Sequence, residues 1–446
     1  MEIKLFIDKV FKTAEDLKLE EFEIYFTSSE NETIKVFKGE VDTYSNSQNM
    51  GISFRTKVDG KMGYSYTESL EDEDVLPLIE RAISNGKIIE NLDIIETYGE
   101  KKKYEKIDSF NPSLENISVE EKIEFLLKAE KIALEMDSRI KSVNYCMMGS
   151  GEGVNIIKNS KGLDLYHKGN SIYAYLAVVV QDGESIKNDA AYIASKDFSK
   201  MDPTKLATEA VTKALKKLNS ISVESKEYDV IIENDTFADL LGSMSGIFSA
   251  ESVQKGVSKL KGKLNELVAN PLVTITDNPH LKDGYGSAPF DAEGVPTKSK
   301  NLIENGVLKT YIHNLKTAKK DGVETTGNAA KGGYKGTMGI STFNLYLEKG
   351  EESFEKLLNK IQNGILITGF SGLHSGLNSI SGDFSLATQG FLIENGIVTK
   401  SLNQITAAGN FFDLLKNIEF IGDDLKFNLS GVGSPSVLVK NISISS

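Results

Sequence analysis

The sequence predicts an α+β protein in two parts, an antiparallel-sheet-and-helix domain over residues 1–220 and a mostly β domain over residues 221–446. Three observations carry this reading. Apolar and polar residues alternate in long runs of the first half, intervening segments switch to helical spacing, and from "YDVIIENDTFADLLGSM" onward glycine and short apolar runs take over. At the N-terminus, "MEIKLFIDKVFKTAEDLKL" puts Ile3, Phe6, Val10, Phe11, Ala14 and Leu17 on one stripe, which predicts an amphipathic helix. The acids within it argue against a signal peptide. "EFEIYFTSS", "ETIKVFKGEVDTYS" and "GISFRTKVDGKMGYSYTE" follow as an antiparallel meander, with Asp59 and Gly60 as a hairpin turn.

"EDEDVLPLIERAISNGK" and "SVEEKIEFLLKAEKIALEMD" have helical periodicity, and Ser118 and Glu121 stand at capping-box spacing. A second strand set runs from "IKSVNYCMMGSGEGVNIIKN" to "SIYAYLAVVVQDG", and Asp202 with Pro203 opens another helix. "NSISVESKEYDV" reads as the linker. Beyond it come a strand, a helix with small residues, a short helix through Leu264, and Gly-rich strand and loop sequence to the end. "NLIENGVLKTYIHN" and "GFLIENGIVTKSLNQ" echo each other as strand, Asn-Gly turn, strand. The echo fits either two similar hairpins or a duplicated module.

With 446 residues and 40% hydrophobic composition the chain buries a sizeable core, and its formal net charge of −13 is spread through mixed-sign segments. No basic block tracks phosphates or anionic lipid, so neither nucleic acid nor membrane is an expected partner. Cys146 is the only cysteine, which excludes an intrachain disulfide framework and points to a reducing, cytoplasmic home. The longest apolar run, near Leu176 to Val180, is far short of a membrane span.

Nucleotide loops fail on context. "GSGEG" at 149–153 is followed by strand-like "VNIIK" where a dinucleotide site needs a helix, and no Gly-Lys pair precedes Ser or Thr. His167, His280, His313 and His374 lie far apart, so a metal site would have to be assembled from distant elements, for instance His280, Asp283 and His374. "SGLHSGLNSISGDFSLATQGFLIENG" holds His374, Ser375 and Asp383, the atom types of a hydrolytic triad. Adjacent Ser and His on extended chain point oppositely, however, and the ordinary reading is a loop whose hydroxyls and carboxylate cap its own backbone.

Four segments go further: "FDAEGVPTKSKNLIENGVLKTYIHNLKTAKK", "TGNA", "GLNSISGDFSLATQGFLIENGIV" and "IGDDL". In these, and over nearly its whole length, the chain resembles the TldD/PmbA family, once called modulators of DNA gyrase and understood as subunits of a bacterial and archaeal metalloprotease. The resemblance implies a C-terminal domain of the PmbA/TldD type. In that family a TldD subunit carries zinc on a helical His-Glu-x-x-x-His motif plus a later Cys, and a PmbA (TldE) subunit pairs with it without those ligands. Aligned on the helix after "YDVIIEN", the motif positions hold Gly242, Ser243 and Ile247, and the Cys position falls near Ile421.

The resemblance therefore implies a PmbA/TldE-like, non-catalytic subunit of a zinc metalloprotease acting on unfolded peptides. It has no catalytic residue, metal ligand or cofactor of its own, and zinc belongs to a TldD-like partner in a heterodimer. The Gly-rich stretches Asn328–Gly336 and Leu373–Asp383 would then face the peptide path, with Asn328, His374, Ser375 and Asn378 as candidates and Asp383 holding its loop. Two other readings stand beside it, an autonomous metal-dependent peptidase acting as a homodimer and a DNA gyrase modulator, the latter disfavoured by the acidic balance.

Overall fold

Period-two alternation builds the first half. In the computed structural model, which describes residues 3–90, 96–100 and 102–446, β1 (Phe22–Phe37), β2 (Glu40–Val58), β3 (Lys61–Thr67), β4 (Ile140–Asn159), β5 (Asp164–Asp182) and β6 (Ser185–Ser195) form one sheet. Its order is β3-β2-β1-β4-β5-β6, antiparallel throughout. Phe22, Ile24 and Phe26 share a face with Ile52 and Phe54, and there α1 (Ile3–Asp16) and α2 (Val75–Ile88) bury Phe6, Val10, Leu78 and Ile79. Farther along that face Ile34, Val36, Cys146 and Met148 meet α3 (Val119–Glu135) and α4 (Pro203–Lys216).

The predicted caps form: Ser118 Oγ accepts from the Glu121 N–H while the Glu121 carboxylate accepts from the Ser118 N–H, and Asp202 accepts from the Thr204 N–H. Two details differ from expectation. The first predicted run and the start of the second join into the single strand β1, the turn at Lys38 and Gly39 falls inside the second run, and β4 passes unbroken through "GSGEG". The helical stripe starts from the described residue Ile3 and takes in Ile7, whereas Leu17 is exposed because α1 has ended at Asp16. Met1 and Glu2 lie outside the described residues.

The predicted linker is not a free tether. Ile221 makes a β-bridge to Leu402, Val223 packs on the core of the second half, and β7 (Lys226–Ile232) follows. Helix α5 (Asn234–Met244) follows, then α6 (Ala250–Lys255), which Gly256 stops at φ +75; residues 257–264, expected to be helical, are turns and loop. The rest alternates short strands and helices: β8 (Ile275–Asp277), β9 (Lys300–Glu304), β10 (Val307–Leu308), α7 (Leu315–Asp321), β11 (Ala329–Lys331), β12 (Met338–Ile340), β13 (Leu345–Leu347) and α8 (Phe354–Ile361). Then come β14 (Gly364–Ser371), α9 (Leu373–Gly376), β15 (Asp383–Glu394), β16 (Ile397–Ser401), β17 (Ile405–Asn410), α10 (Phe411–Lys416), β18 (Ile418–Ile421), β19 (Lys426–Phe427), β20 (Val432–Ser434) and β21 (Val437–Ser445).

Strands β14, β7, β21, β17 and β15 pair in sequence, and β15 pairs back to β14, closing a ring that leaves none of these five without a neighbour on either side. A second sheet runs β10-β9-β8-β13-β20-β19, and one large core of Phe237, Leu241, Phe248, Ile275, Leu345, Ile365, Phe411 and Val437 joins both sheets to α5. The echoed hairpins are real but sit in different sheets. Asn305 and Gly306, and Asn395 and Gly396, all adopt positive φ, which is why the same Asn-Gly pair recurs.

Candidate functional site

A sheet that gives one face to its own helices must present the other elsewhere. On β1 that face carries Glu23, Tyr25 and Thr27; on β2 it carries Arg55, Ser53 and Gly51, directly opposite them in register. Residues from 290–296 and 329–338 of the C-terminal half cover it. Ala292 and Phe290 pack with Tyr25 and Ile157, the Tyr104 hydroxyl donates to the Gly294 carbonyl at 2.8 Å, and Gly51 lets the Tyr334 ring approach to where a Cβ would be 2.5 Å away. The Tyr64 hydroxyl bonds the Tyr334 carbonyl.

Charges gather in this seam. Asp291 is buried and accepts from three backbone N–H groups: Glu293 at 2.9 Å, Val295 at 3.0 Å and Ala329 at 2.9 Å. Glu293, equally buried, accepts from the Leu315 N–H at 2.8 Å. Arg55 Nη2 lies 2.8 Å from Glu23 Oε1. Lys331 Nζ donates to Ser53 Oγ at 2.7 Å and sits 4.5 Å and 4.9 Å from the Tyr25 and Tyr64 ring centroids. A cavity of about 300 Å³ opens among these groups, walled also by Met62, Asn314, Lys316, Thr337 and Met338.

Burial sets the protonation here. It pushes the Asp291 carboxyl above the usual carboxylate range against the pull of its three N–H donors, and pushes Glu293 up as well, with the Asp291 charge adding to the effect. Lys331 is driven down to about 7, chiefly by burial and then by Arg55.

The residues singled out in the sequence separate into three places. Asn328, expected in the peptide path, is fully buried: its amide donates to Asp277 and the Ser341 carbonyl, and its oxygen accepts from Lys300 and Thr326. It is a core crosslink with no side-chain polar atom left for a substrate. His374 and Ser375 are exposed on α9, which packs beside α5 through Leu373 and its neighbours. Asn378 is exposed too, yet its side-chain oxygen accepts from the Ile380 and Ser381 N–H groups, the loop-holding role assigned to Asp383. Asp383 instead accepts from the Asn410 amide at 2.7 Å, which lowers its pKa.

At the metal-motif positions, Gly242 carries no side chain and Ser243 donates its hydroxyl to the Asp239 carbonyl. Ile247 and Ile421 are core residues. Apolar atoms and a spent hydroxyl do not fit zinc, and among the described residues no three His, Cys, Asp or Glu side chains group as metal ligands. His280 faces Thr297 Oγ1 at 3.0 Å and His167 packs edge-on to Phe290, so His280, Asp283 and His374 do not form a centre. Sequence reasoning missed Glu23, Arg55, Glu293 and Lys331. The available signal was ionic residues at alternate positions of otherwise apolar strands, together with the quoted "FDAEG".

Three domain families match in order: PmbA/TldA metallopeptidase domain 1 over residues 22–86, the central domain over 112–218 and the C-terminal domain over 225–446. The metalloprotease PmbA homolog of Haemophilus influenzae is 30% identical over 331 residues, spanning 74% of this chain and 71% of that protein. The chain belongs to the PmbA/TldD metallopeptidase family. A crystal structure of TldE from Thermococcus kodakarensis covers 99% of this chain and all of that one at TM-score 0.91 and 26% identity. A Thermotoga maritima structure, of a proposed modulator of a DNA gyrase, covers 99% and 100% at TM-score 0.92 and 34% identity. The PmbA/TldD-type fold thus extends over both halves, and the segment at 290–295 that carried the resemblance is the one that seals them together.

Two outcomes follow from the buried groups. Asn328→Ala strands the Asp277–Lys300 pair with lost partners and should cost about 2 kcal/mol or more in denaturant unfolding, as a destabilisation and not as a binding defect. For Glu293 the folded pKa is raised from 4.5, so the folded chain binds more protons than the unfolded one above that value; this contribution is full at low pH and fades as pH rises. Lys331 adds no slope until pH passes its lowered value of about 7. Glu293→Gln should therefore flatten the fall in melting temperature between about pH 5 and pH 7, measured by thermal denaturation across that range. An unchanged slope would mean that Glu293 does not bind the extra proton.

Proposed function

We propose that this chain is the non-catalytic, TldE-type subunit of a TldD/TldE-type zinc metalloprotease that acts on unfolded peptides, and that it works in a heterodimer with a TldD-like chain. The observation that carries the reading is the state of the motif positions: Gly242 and Ser243 offer no ligand or base, and Ile247 and Ile421 are buried in the core. Zinc-assisted peptide hydrolysis takes three protein ligands and a general base, and these four residues supply none of them. What the chain does offer beside that helix is an exposed rim, His374 and Ser375 on α9 with Asn378 just beyond. Such a rim contributes hydrogen bonds that hold an extended peptide while the chemistry is done elsewhere.

A reducing cytoplasm suits this role. Cys146 is buried and its thiol is pushed up to about 12 by that burial, so it packs as a small apolar side chain instead of reacting.

Purified alone, the chain should hold no stoichiometric zinc and leave an unfolded peptide such as reduced casein intact; co-expressed with a TldD-like chain it should give a complex with chelator-sensitive peptidase activity. Metal analysis and gel filtration with a peptide assay read both. Tight zinc at about one per isolated chain, with hydrolysis, would overturn the assignment.

His374→Ala should leave folding, assembly and the partner's zinc intact, since an exposed side chain carries little packing energy, and should raise KM a few-fold at unchanged kcat. A near-complete loss of kcat at normal KM would make His374 a catalytic residue reaching across the interface.

A further inference from the structure

The cavity beneath residues 331–338 has a feature that folding alone does not require. Arg55 is mostly buried against Glu23, yet neither Nε nor Nη2 directs an N–H at an acceptor; the 2.8 Å approach to Glu23 Oε1 is an ion contact without hydrogen-bond geometry. Buried guanidinium N–H groups left unpaired are costly, and natural interiors rarely keep them so. A second cation, Lys331, lines the same cavity, its Nζ held at Ser53 Oγ, two residues from Arg55 on β2. The space that both cations line is about 300 Å³, enough for a small organic molecule, and Tyr25, Met62, Tyr64 and Met338 add apolar surface to its lining. Thr337 is the exposed residue of its lining.

We propose that this cavity is a binding site for a carboxylate with a short apolar body, whose carboxylate oxygens accept from Arg55 and Lys331. A planar carboxylate matches the forked guanidinium, and the methionine and tyrosine walls take the apolar part. The source is either a free organic acid or the C-terminal carboxylate of a peptide, since both present the same group. This site does not depend on the metal-free reading given above, because none of its residues belongs to α5 or α9.

Protonation makes the proposal testable by pH. The charged or titratable groups facing the cavity are Glu23, Arg55, Glu293, Lys316 and Lys331 with the phenols of Tyr25 and Tyr64, and Asp291 lies behind Glu293. Raising the pH ionises the seam carboxyls and discharges Lys331, and both changes oppose an anion. Affinity should therefore fall as pH rises.

The experiment is calorimetric titration of the full chain with N-acetyl-leucine, N-acetyl-leucinamide, and the peptide Ala-Ala-Ala-Ala-Leu as acid and as amide, at about pH 6 and pH 8.5. The acids should bind at least about tenfold more tightly than the amides, and several-fold more weakly at the higher pH. Equal binding of both acids assigns the pocket to free carboxylates as well as peptide ends; binding of the peptide acid alone assigns it to chain termini. The double variant Glu23→Gln/Arg55→Met removes the ion pair without stranding either partner and should lose about tenfold or more in acid affinity. Thr337→Trp, at the exposed lining residue, should fill the cavity and block binding while leaving the fold intact, and serves should the double variant not fold. Acids and amides binding alike, no binding of any probe at millimolar concentration, or unchanged affinity in Thr337→Trp would each overturn the proposal.

Discussion

Everything in this molecule is arranged around the second face of one sheet. Because successive side chains point to opposite sides, the choice that sends Phe22, Ile24 and Phe26 toward α1 and α2 also sends Glu23, Tyr25 and Thr27 the other way. Those side chains are polar, but they are not solvated: Glu23 is buried, and segments of the C-terminal half lie over it. A slip of one residue in the β1–β2 register would exchange the two faces and put charge among the phenylalanines, so register and domain docking specify one another.

Burying this many ionic groups is expensive, and the structure offsets the cost in three ways. Asp291 takes three backbone N–H groups, burial raises the Glu293 pKa toward the neutral form, and Lys331 lies over two aromatic rings beside a hydroxyl. None of these makes the seam more stable than an apolar one of the same shape would be. What they secure is orientation, since the bonds to Asp291 and Glu293 tie residues 293, 295, 315 and 329 to one another and Lys331 fastens its segment to Ser53 on β2. The mobile-looking composition of "KGGYKGT" is held down in the same way, through Tyr334 against Gly51, Tyr64 and Glu68.

Local physics was legible in the sequence and distant partnership was not. The helix stripe up to Ala14, the capping box at Ser118, the cap at Asp202 and both Asn-Gly hairpins depend on residues a few positions apart, and these appear where the pattern put them. The roles of Asn328 and Asp383 depend on what lies across the fold. Asn328 looked like a surface loop residue because glycines follow it, yet its partners Asp277 and Lys300 are dozens of residues away. Asp383 had nearby N–H groups to hold, but Asn378 took them, leaving the carboxylate for Asn410 on the neighbouring strand. The PmbA/TldD resemblance named the "FDAEG" segment without saying what it does, since Phe290 and Ala292 pack on Tyr25 and Ile157 of the other half and Glu293 lines a cavity with Arg55.

At the positions that the resemblance assigns to the family's metal motif, the surroundings of Ile247 and Ile421 are as informative as their side chains. Helix α5 ends at Met244, and the next turn is a tighter 3₁₀ segment that carries Ile247 into the core, where it is 2% exposed. A histidine there would bring two ring nitrogens into a site built for a branched alkyl group, and each would need a partner or cost free energy. Ile421 is fixed similarly: it closes β18 against Val437, and its carbonyl lies so close to Gly350 that a Cβ on that glycine would come within 2.2 Å. The packing around both positions has therefore been fitted to apolar residues, so ligand atoms placed there by substitution would face a shape that excludes them before any question of metal affinity arises.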